Sequence, residues 1–182
     1  MRIATIGAGN VGGGLGALWE RAGHEVQRLG SEGGDVSGVD VALLAVPAAA
    51  IADALGKATG IEGKPVIDAT NTMTGERPEG FRSLAEYVKS LTRGPVAKAF
   101  NTNFARLYDR LGEARARPGC LYCGDEGVRE ITAQLISDAG YEPIDAGGLE
   151  WAGAVEDFFQ INRAVSNTIG RFVYRMAPPE SL

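Results

Sequence analysis

The first chemistry that this sequence suggests is phosphate binding by a glycine-rich turn. Residues 7–12 read GAGNVG and match the spacing G-x-G-x-x-G, with a strand-like run directly before them and a helix-like run after them. In such a turn Gly7 permits the sharp bend, Gly9 lets the backbone approach a pyrophosphate, and Gly12 lets the helix pack closely on a strand. Free amides at the helix N-terminus attract the phosphates. The predicted cofactor-binding residues of the turn are Gly7, Ala8, Gly9, Asn10, Val11 and Gly12.

A second group of candidate residues follows apolar runs further along the chain. In an open parallel sheet a ligand lies across the carboxyl ends of the strands, so residues at those ends can meet. Residues 45–47 (AVP) would give a flat apolar wall for a nicotinamide ring, and two asparagines could hydrogen-bond a carboxamide or a substrate carbonyl. Each asparagine could also be a helix cap or a turn residue. These candidates are Ala45, Val46, Pro47, Asn71 and Asn101.

The elements that must position these residues alternate between strands and helices. Apolar bursts predict strands at RIATI, HEVQRL, VDVALLAV, PVIDA, PVAKAF, CLYC and YEPIDA. Helical periodicity predicts helices over Val11–Ala22, Ile51–Ala58, Phe81–Leu91 and Glu126–Ala139. The alternation predicts an α/β fold of the Rossmann type, a doubly wound and mostly parallel sheet built from residues 1–149.

One link in this fold is unusually short. Parallel neighbours are normally joined by a dozen or more residues, but only Ser31–Gly38 separates HEVQRL from VDVALLAV. We predict that these two strands lie two strand spacings apart, with the first strand between them. The span is then about 20 Å, and eight extended residues reach about 26 Å. The shortened crossover should therefore be nearly straight and contain no helix.

The last segment, residues 150–182, is predicted to form a helical arm. Apolar residues recur at steps of three and four from Trp151 to Met176, with one polar break at Asn162. A helix of this length, about 39 Å, is too long to lie wholly on a small domain. We therefore predict a homodimer formed through this helix, with Asn162 fixing the register and Pro178 and Pro179 ending the helix. A core helix at the sheet edge is the alternative.

Composition excludes several classes of partner. The net charge of −5 and the pI of about 5.0 argue against nucleic acid or an acidic membrane surface. Apolar runs stay below the roughly 18 residues of a membrane span. The chain opens on a strand with no leader-like segment, which favours a cytoplasmic protein.

Cys120 and Cys123, three apart on a predicted strand, should point to opposite faces and serve packing. With His24 as the single histidine, no metal site is predicted.

Taken together, several motifs resemble one family. RIATIGAGNVG, GHEV, LLAVP, VIDATN, VAKAFNT, CGDEG and DAGGL are similar, in this order, to motifs of the NADP-dependent oxidoreductases that act on the deazaflavin coenzyme F-420. The reductase domain of the STEAP metalloreductases is related to that family. The resemblance covers residues 1–149. It implies a Rossmann domain, dimers built through C-terminal helices, and hydride transfer from nicotinamide to a flavin-like ring. Family cofactor positions match Gly7, Gly9, Asn10, Val11, Val46 and Pro47.

The cofactor's adenosine end is predicted to lie at Gly30, Ser31 and Glu32. The resembled family usually has a cation after the serine, for the 2′-phosphate of NADP. Here Glu32 stands there instead, twenty residues after Gly12, where an acidic residue would bind the ribose 2′-hydroxyl of NAD. A carboxylate repels a phosphate, but Ser31 and backbone amides can still bind one. We favour NADP, with NAD as the alternative.

The predicted activity is hydride transfer between a nicotinamide and a deazaflavin- or flavin-like co-substrate, coenzyme F-420 or a flavin. Hydride exchange between two bound cofactors needs little acid–base help, so no catalytic side chain is predicted. Archaeal deazaflavin reductases carry a histidine where Asn101 stands. A non-catalytic dinucleotide-binding sensor is the alternative. Four arginines following that strand could hold an anionic substrate tail or form a solvated loop: Arg106, Arg110, Arg115 and Arg117.

Overall fold

Seven strands form one sheet with helices on both faces in the computed structural model, which describes residues 1–181. With β3 and β5, which lie outside this sheet, the strands are β1 (Arg2–Ile6), β2 (Glu25–Leu29), β3 (Gly34–Asp35), β4 (Val41–Leu44), β5 (Ala58–Thr59), β6 (Val66–Asp68), β7 (Val96–Lys98), β8 (Gly119–Gly124) and β9 (Glu142–Asp145). The helices are α1 (Asn10–Arg21), α2 (Ile51–Gly56), α3 (Leu84–Thr92), α4 (Glu126–Asp138) and α5 (Ala152–Ile169). The predicted fold class, a Rossmann-type and mostly parallel sheet, is confirmed.

The strand order is β2-β1-β4-β6-β7-β8-β9, and β3 pairs with β5 in a separate two-stranded sheet. β4 therefore lies beside β1, two spacings from β2, as the short link predicted. No helix forms between Ser31 and Gly38; the middle of the link is β3, whose Gly34 and Asp35 pair with Ala58 and Thr59. The shortened crossover is thus held by one short parallel strand pair, made of two residue pairs, rather than by a helix.

Buried apolar side chains fill both faces of the sheet. One cluster packs α2, α3 and α5 against the strands, and the other packs α1 and α4. The strand β4 contributes to both, because Ala42 and Leu44 point one way while Val41 and Leu43 point the other. A strand buried on both faces reads as a continuous apolar run, which is why the sequence located it.

The two cysteines of β8 lie in different clusters, so the prediction that they point to opposite faces is confirmed. Both thiols are free and buried, and burial raises the pKa of each to about 12. β8 runs antiparallel to β7, whereas the neighbouring pairs are parallel. Its carboxyl end therefore faces away from the edge where β1, β4, β6 and β7 end.

The helix boundaries differ from the sequence prediction in several places. α2 ends at Gly56 rather than at Ala58, because Ala58 pairs with Gly34 in the small sheet. α3 begins at Leu84 rather than at Phe81, because the Ser83 hydroxyl accepts a hydrogen bond from the Glu86 amide at 3.0 Å and caps the helix. The larger difference is at the C-terminus, where α5 ends at Ile169 and not beyond Met176. The prediction of one unbroken helix ended by Pro178 and Pro179 was wrong.

The cause of this early end is Gly170, which has a φ of 79° that other residues rarely adopt. The chain then turns back onto its own domain. The Tyr174 carbonyl accepts from the Gly119 amide at 2.7 Å, and its hydroxyl accepts from the Leu121 amide at 2.9 Å. The tail thus covers the start of β8 instead of extending the arm.

The first half of α5 also belongs to the domain core. Val155 is buried, and the buried side chain of Asn162 donates to the Thr102 carbonyl at 3.0 Å. Asn162 therefore does not lie in an exposed seam to fix a register; the predicted alternative, a core helix at the sheet edge, describes this half of α5. Across residues 1–181, the structure contains no helix that is both long and apolar enough to cross a bilayer.

Candidate functional site

The glycine turn joins β1 to α1 at the carboxyl edge of the sheet. Gly7 has a φ of 103°, and a Cβ at this position would overlap the Ala45 carbonyl oxygen. A Cβ at Gly12 would overlap the Gly7 carbonyl oxygen and lie 3.3 Å from the Ala45 Cβ. By contrast, a Cβ at Gly9 would meet no atom within 4 Å. The first and last glycines are needed by the fold, while Gly9 opens onto free space.

A cavity of about 250 Å³ lies beside this turn. Six of the predicted cofactor residues are in its wall: Gly7, Ala8, Gly30, Ser31, Val46 and Pro47. A second, open cleft of about 520 Å³ runs along α1 and includes Gly9 and Asn10. Because Ala8 lines both, the two spaces meet at the turn, where a pyrophosphate would lie against the N-terminus of α1.

The remaining predicted residues lie close to these walls rather than in them. Val11 and Ala45 are half-buried against the core on the α1 side of the sheet. Glu32 is exposed beside the cavity, where its carboxylate accepts a long hydrogen bond, 3.5 Å, from the Ser31 hydroxyl. Gly12 is buried beneath the turn. The structure gathers these residues around one edge, and their binding roles stay predictions.

The two asparagines meet at the ends of β6 and β7. The Asn71 side-chain amide donates to the Asn101 carbonyl at 2.7 Å, and the Asn101 amide donates to the Asn71 side-chain oxygen at 3.2 Å. Asn101 is 3% exposed, and its Oδ1 has no hydrogen-bond partner among residues 1–181. A buried acceptor without a partner is costly, which makes this oxygen a candidate for a ligand's hydrogen bond.

The backbone that presents Asn101 is strained. Phe100 has a φ of 62°, a value that non-glycine residues seldom adopt. Its ring is buried and packs edge-on against Trp19, with centroids 5.8 Å apart. Core packing therefore holds Phe100 in this conformation and turns the next residue toward Asn71. The sequence carries no signal for this strain.

Sequence reasoning missed the contribution of α2 to the cavity. Ala50, Asp53, Ala54 and Lys57 line the wall opposite the glycine turn. Lys57 Nζ donates to Asp53 Oδ2 at 2.8 Å. This hydrogen bond and the charge of Asp53, with a smaller effect from Glu32, raise the pKa of Lys57 above its usual value. An Asp and a Lys four residues apart in a predicted helix were the available signal.

The arginine-rich segment divides into two parts. Arg110 is paired with Glu113 at 2.7 Å, and Arg115 and Arg117 are exposed on the surface. Arg106 alone of the four lines the cleft that contains Gly9 and Asn10. The solvated-loop interpretation fits Arg110, Arg115 and Arg117, and anion binding stays a prediction for Arg106.

A buried charge cluster lies below the strand ends and was also missed. Lys98 of β7 is fully buried, and its Nζ lies 2.9 Å from Asp68 Oδ2 and 3.1 Å from Glu156 Oε1. The same nitrogen donates to the Thr70 carbonyl at 2.6 Å. Glu156 also accepts from the Leu84 amide at 2.8 Å, so one carboxylate joins α5 to the start of α3. The cluster fixes the backbone that leads to Asn71.

Comparison with curated proteins finds similarity to a STEAP metalloreductase, a group that the motifs also resemble. The chain is 32% identical to the metalloreductase STEAP3 of Rattus norvegicus over 98 residues, which are 53% of this chain and 20% of that protein. The chain thus spans about a fifth of the curated relative it matches. No family model matches the chain.

Solved structures share the fold at low sequence identity. A proposed F420-dependent NADP reductase from Arthrobacter sp. FB24 superposes with a TM-score of 0.81 at 20% identity, covering 98% of this chain and all of the other. A variant imine reductase from Myxococcus stipitatus, solved with NAD+, gives a TM-score of 0.65 at 16% identity over 92% of this chain and 63% of its own. The predicted resemblance to deazaflavin and STEAP reductases is confirmed as a resemblance, and the fold is that of nicotinamide-dependent reductases.

Proposed function

We propose that this chain is an oxidoreductase that transfers hydride between NADP(H) and a deazaflavin- or flavin-like ring. The observation that carries the proposal is the glycine turn, whose fold-required glycines frame an open position at Gly9 and whose flank forms one wall of an apolar-lined cavity. This arrangement is suited to a dinucleotide whose pyrophosphate lies on α1 and whose adenosine enters the cavity.

The acceptor side of the site favours a second ring over a small alcohol or ketone. The strand ends of β6 and β7 carry the amide pair Asn71–Asn101, whose side chains are neutral. Such groups can orient a nicotinamide and a stacked ring, and the cofactors themselves supply the redox chemistry. The similarity to a proposed F420-dependent reductase and to a metalloreductase supports the same class of acceptor.

In the proposed reaction the hydride leaves C4 of the reduced nicotinamide and adds to the acceptor ring. NADPH is oxidised to NADP+, the ring gains two electrons, and one proton comes from water. The chain's own residues would bind and orient both partners rather than exchange protons. Arg106, which lines the cleft next to Gly9, is placed to attract an anionic part of either partner.

The test is steady-state oxidation of NADPH by the purified protein with coenzyme F-420, FMN or FAD as acceptor. We expect loss of nicotinamide absorbance together with loss of the oxidised acceptor's absorbance, in equal amounts and only with protein present. The Gly12→Ala variant serves as the negative control. If the wild type binds NADPH but oxidises it with none of these rings, the non-catalytic sensor becomes the better description.

We also propose that a second copy of the chain covers the outer face of α5. Ile161 and Ile169 are 57% and 69% exposed, and Val165 lies between them at the same helical spacing. This exposed apolar stripe is separate from the buried half of α5, and contiguous apolar surface is a feature of protein–protein contact sites.

The dimer is tested by sedimentation equilibrium. We expect the wild type to dimerise and the double variant Ile161→Asp/Ile169→Asp to be a folded monomer, because each new charge would be buried without a partner. Leu91→Asp, at an exposed leucine of α3, is the control and should remain dimeric. A wild type that stays monomeric at all tested concentrations contradicts the proposal.

A further inference from the structure

The cation that faces the adenosine end of the cavity comes from the end of α2, not from the loop after β2. Lys57 follows α2 directly and lines the cavity together with Gly30, Ser31 and Gly33. Of the twelve cavity-wall residues, all within the part of the chain that the structure describes, Lys57 is the one with a positive charge. The site thus has a cation although the loop itself carries Glu32.

The position of Lys57 relative to the loop is fixed by the backbone. Its carbonyl accepts a hydrogen bond from the Gly34 amide at 3.1 Å, and Ala58 pairs with Gly34 in the small sheet. Gly33, with a φ of 75°, packs so tightly that a Cβ there would lie 2.5 Å from the Lys57 Cβ. The short crossover therefore holds the loop against Lys57, and Lys57 lines the same cavity as Ser31.

Other charges near this end are either paired or outside the wall. Arg28 of β2 is held by Glu20 in a two-pronged ion pair of 2.6 and 2.8 Å, away from the cavity. Glu32 is exposed and does not line the cavity. Asp53 lines it but is occupied by Lys57. Lys57 is the cation in the cavity wall that can meet an incoming phosphate, and Ser31 lines the same cavity.

We infer that Lys57 binds the 2′-phosphate of NADP(H) and is the residue that selects NADP over NAD. Its ammonium group forms an ion pair with Asp53 at 2.8 Å, and the two side chains are 45% and 67% exposed. Exposed pairs of this kind are weak, so Lys57 can exchange Asp53 for a phosphate dianion at little cost. The inference rests on the proposed function, because it assumes that the cavity holds the adenosine of a nicotinamide cofactor.

The experiment compares Lys57→Gln with wild type by isothermal titration. The probes are NADPH and NADH, and the fragments 2′,5′-ADP and 5′-AMP. We expect Lys57→Gln to weaken the binding of NADPH and of 2′,5′-ADP by about 10- to 100-fold, the usual effect of losing one hydrogen bond to a charged group. The dissociation constants of NADH and 5′-AMP should change by less than about twofold. Lys89→Gln is the matched control, since Lys89 is 47% exposed and pairs with Asp125 at 2.7 Å far from the cavity.

A second variant tests the exchange itself. Asp53→Asn removes the competing carboxylate, so NADPH should bind several-fold more tightly and NADH should be unaffected. A selective loss of NADH binding in Asp53→Asn would overturn the inference, because Asp53 would then be holding a ribose hydroxyl. So would equal weakening of both cofactors in Lys57→Gln, or a wild type that prefers NADH. If wild type binds neither cofactor, the proposed function itself fails.

Discussion

Replacing Gly12 with alanine is expected to abolish cofactor binding and to destabilise the fold. The added methyl group would overlap the Gly7 carbonyl oxygen, which belongs to the backbone of the turn. That backbone cannot yield, because the Gly7 amide donates to the Leu29 carbonyl at 3.0 Å. The added methyl group would also lie 3.3 Å from the Ala45 Cβ. Either the turn opens or α1 moves off the sheet, and both displace the amides that would bind phosphate.

The expected magnitudes are large enough to measure separately. Overpacking at a tight site lowers the free energy of unfolding by about 1–3 kcal/mol. Loss of two charge-assisted hydrogen bonds, at about 1.5–3 kcal/mol each, weakens NADPH binding by at least about 100-fold. Urea denaturation followed by circular dichroism gives the first quantity, and titration calorimetry with NADPH gives the second.

The Gly9→Ala variant is expected to weaken cofactor binding without lowering the stability of the fold. A Cβ at Gly9 meets no atom within 4 Å, so the free energy of unfolding should stay within about 0.5 kcal/mol of wild type. The same methyl group would occupy the space in which a pyrophosphate approaches the backbone, so NADPH binding should still be lost. Gly112→Ala, at another glycine with open surroundings, should change neither quantity. Unimpaired NADPH binding by Gly9→Ala would refute the assignment of the turn.

Much of this fold could be predicted because the strands of its sheet coincide with apolar runs in the sequence. β4 is buried on both faces and appears as an unbroken apolar run, and the longer helices show their own period. Even the order β2-β1-β4 followed from chain geometry, since the Ser31–Gly38 link is too short for a helical crossover. The glycine turn was recognisable because its context, strand before and helix after, was recognisable.

The C-terminal segment could not be predicted in the same way. Apolar residues continue at helical spacing past Ile169, so periodicity alone extended the helix to Met176. What ends it is Gly170, together with the hydrogen bonds that Tyr174 makes with Gly119 and Leu121 of a distant strand. Tertiary contacts of this kind leave no local pattern, and they override helical propensity.

The polar parts of the site were missed for a related reason. Lys98 and Asp68 are single charged residues within apolar strands, and their partner Glu156 lies 58 or more residues further along the chain. Lys57 reaches the cavity because the small β3–β5 sheet brings α2 to the loop after β2. In both cases the functional or structural role comes from packing between elements that the sequence locates but does not bring together.

Replacing Lys98 with methionine is expected to lower stability more than any exposed charge substitution in this chain. Lys98 lies between Asp68 and Glu156, and all three side chains are at most 2% exposed. Methionine fills a similar volume but leaves the buried Asp68 without the Lys98 ammonium, while Glu156 keeps its ion pair with Arg77 at 3.1 Å. Removing one partner from a buried pair costs about 3–5 kcal/mol, because the remaining charge is uncompensated.

The loss should be visible as a lower midpoint in thermal unfolding. For a chain of this size each kcal/mol shifts Tm by about 2–4 °C, so Lys98→Met should unfold about 6–20 °C below wild type. The Thr70 carbonyl also loses its bond from Lys98, which frees the backbone that leads to Asn71. NADPH binding should therefore weaken in Lys98→Met even at temperatures where the protein remains folded.

Two further substitutions decide whether the buried charge is the cause. Glu156→Gln keeps an oxygen for the Leu84 amide, leaves Lys98 balanced by Asp68 and leaves Arg77 paired with Asp157, so it should cost about 1–3 kcal/mol. Lys89→Met breaks an exposed pair of 2.7 Å with Asp125 and should cost about 1 kcal/mol or less. The expected order of destabilisation is Lys98→Met, then Glu156→Gln, then Lys89→Met. If Lys98→Met were no worse than Lys89→Met, the carboxylates would have to reach water without their lysine, and the cluster would not be what joins α5 to the sheet.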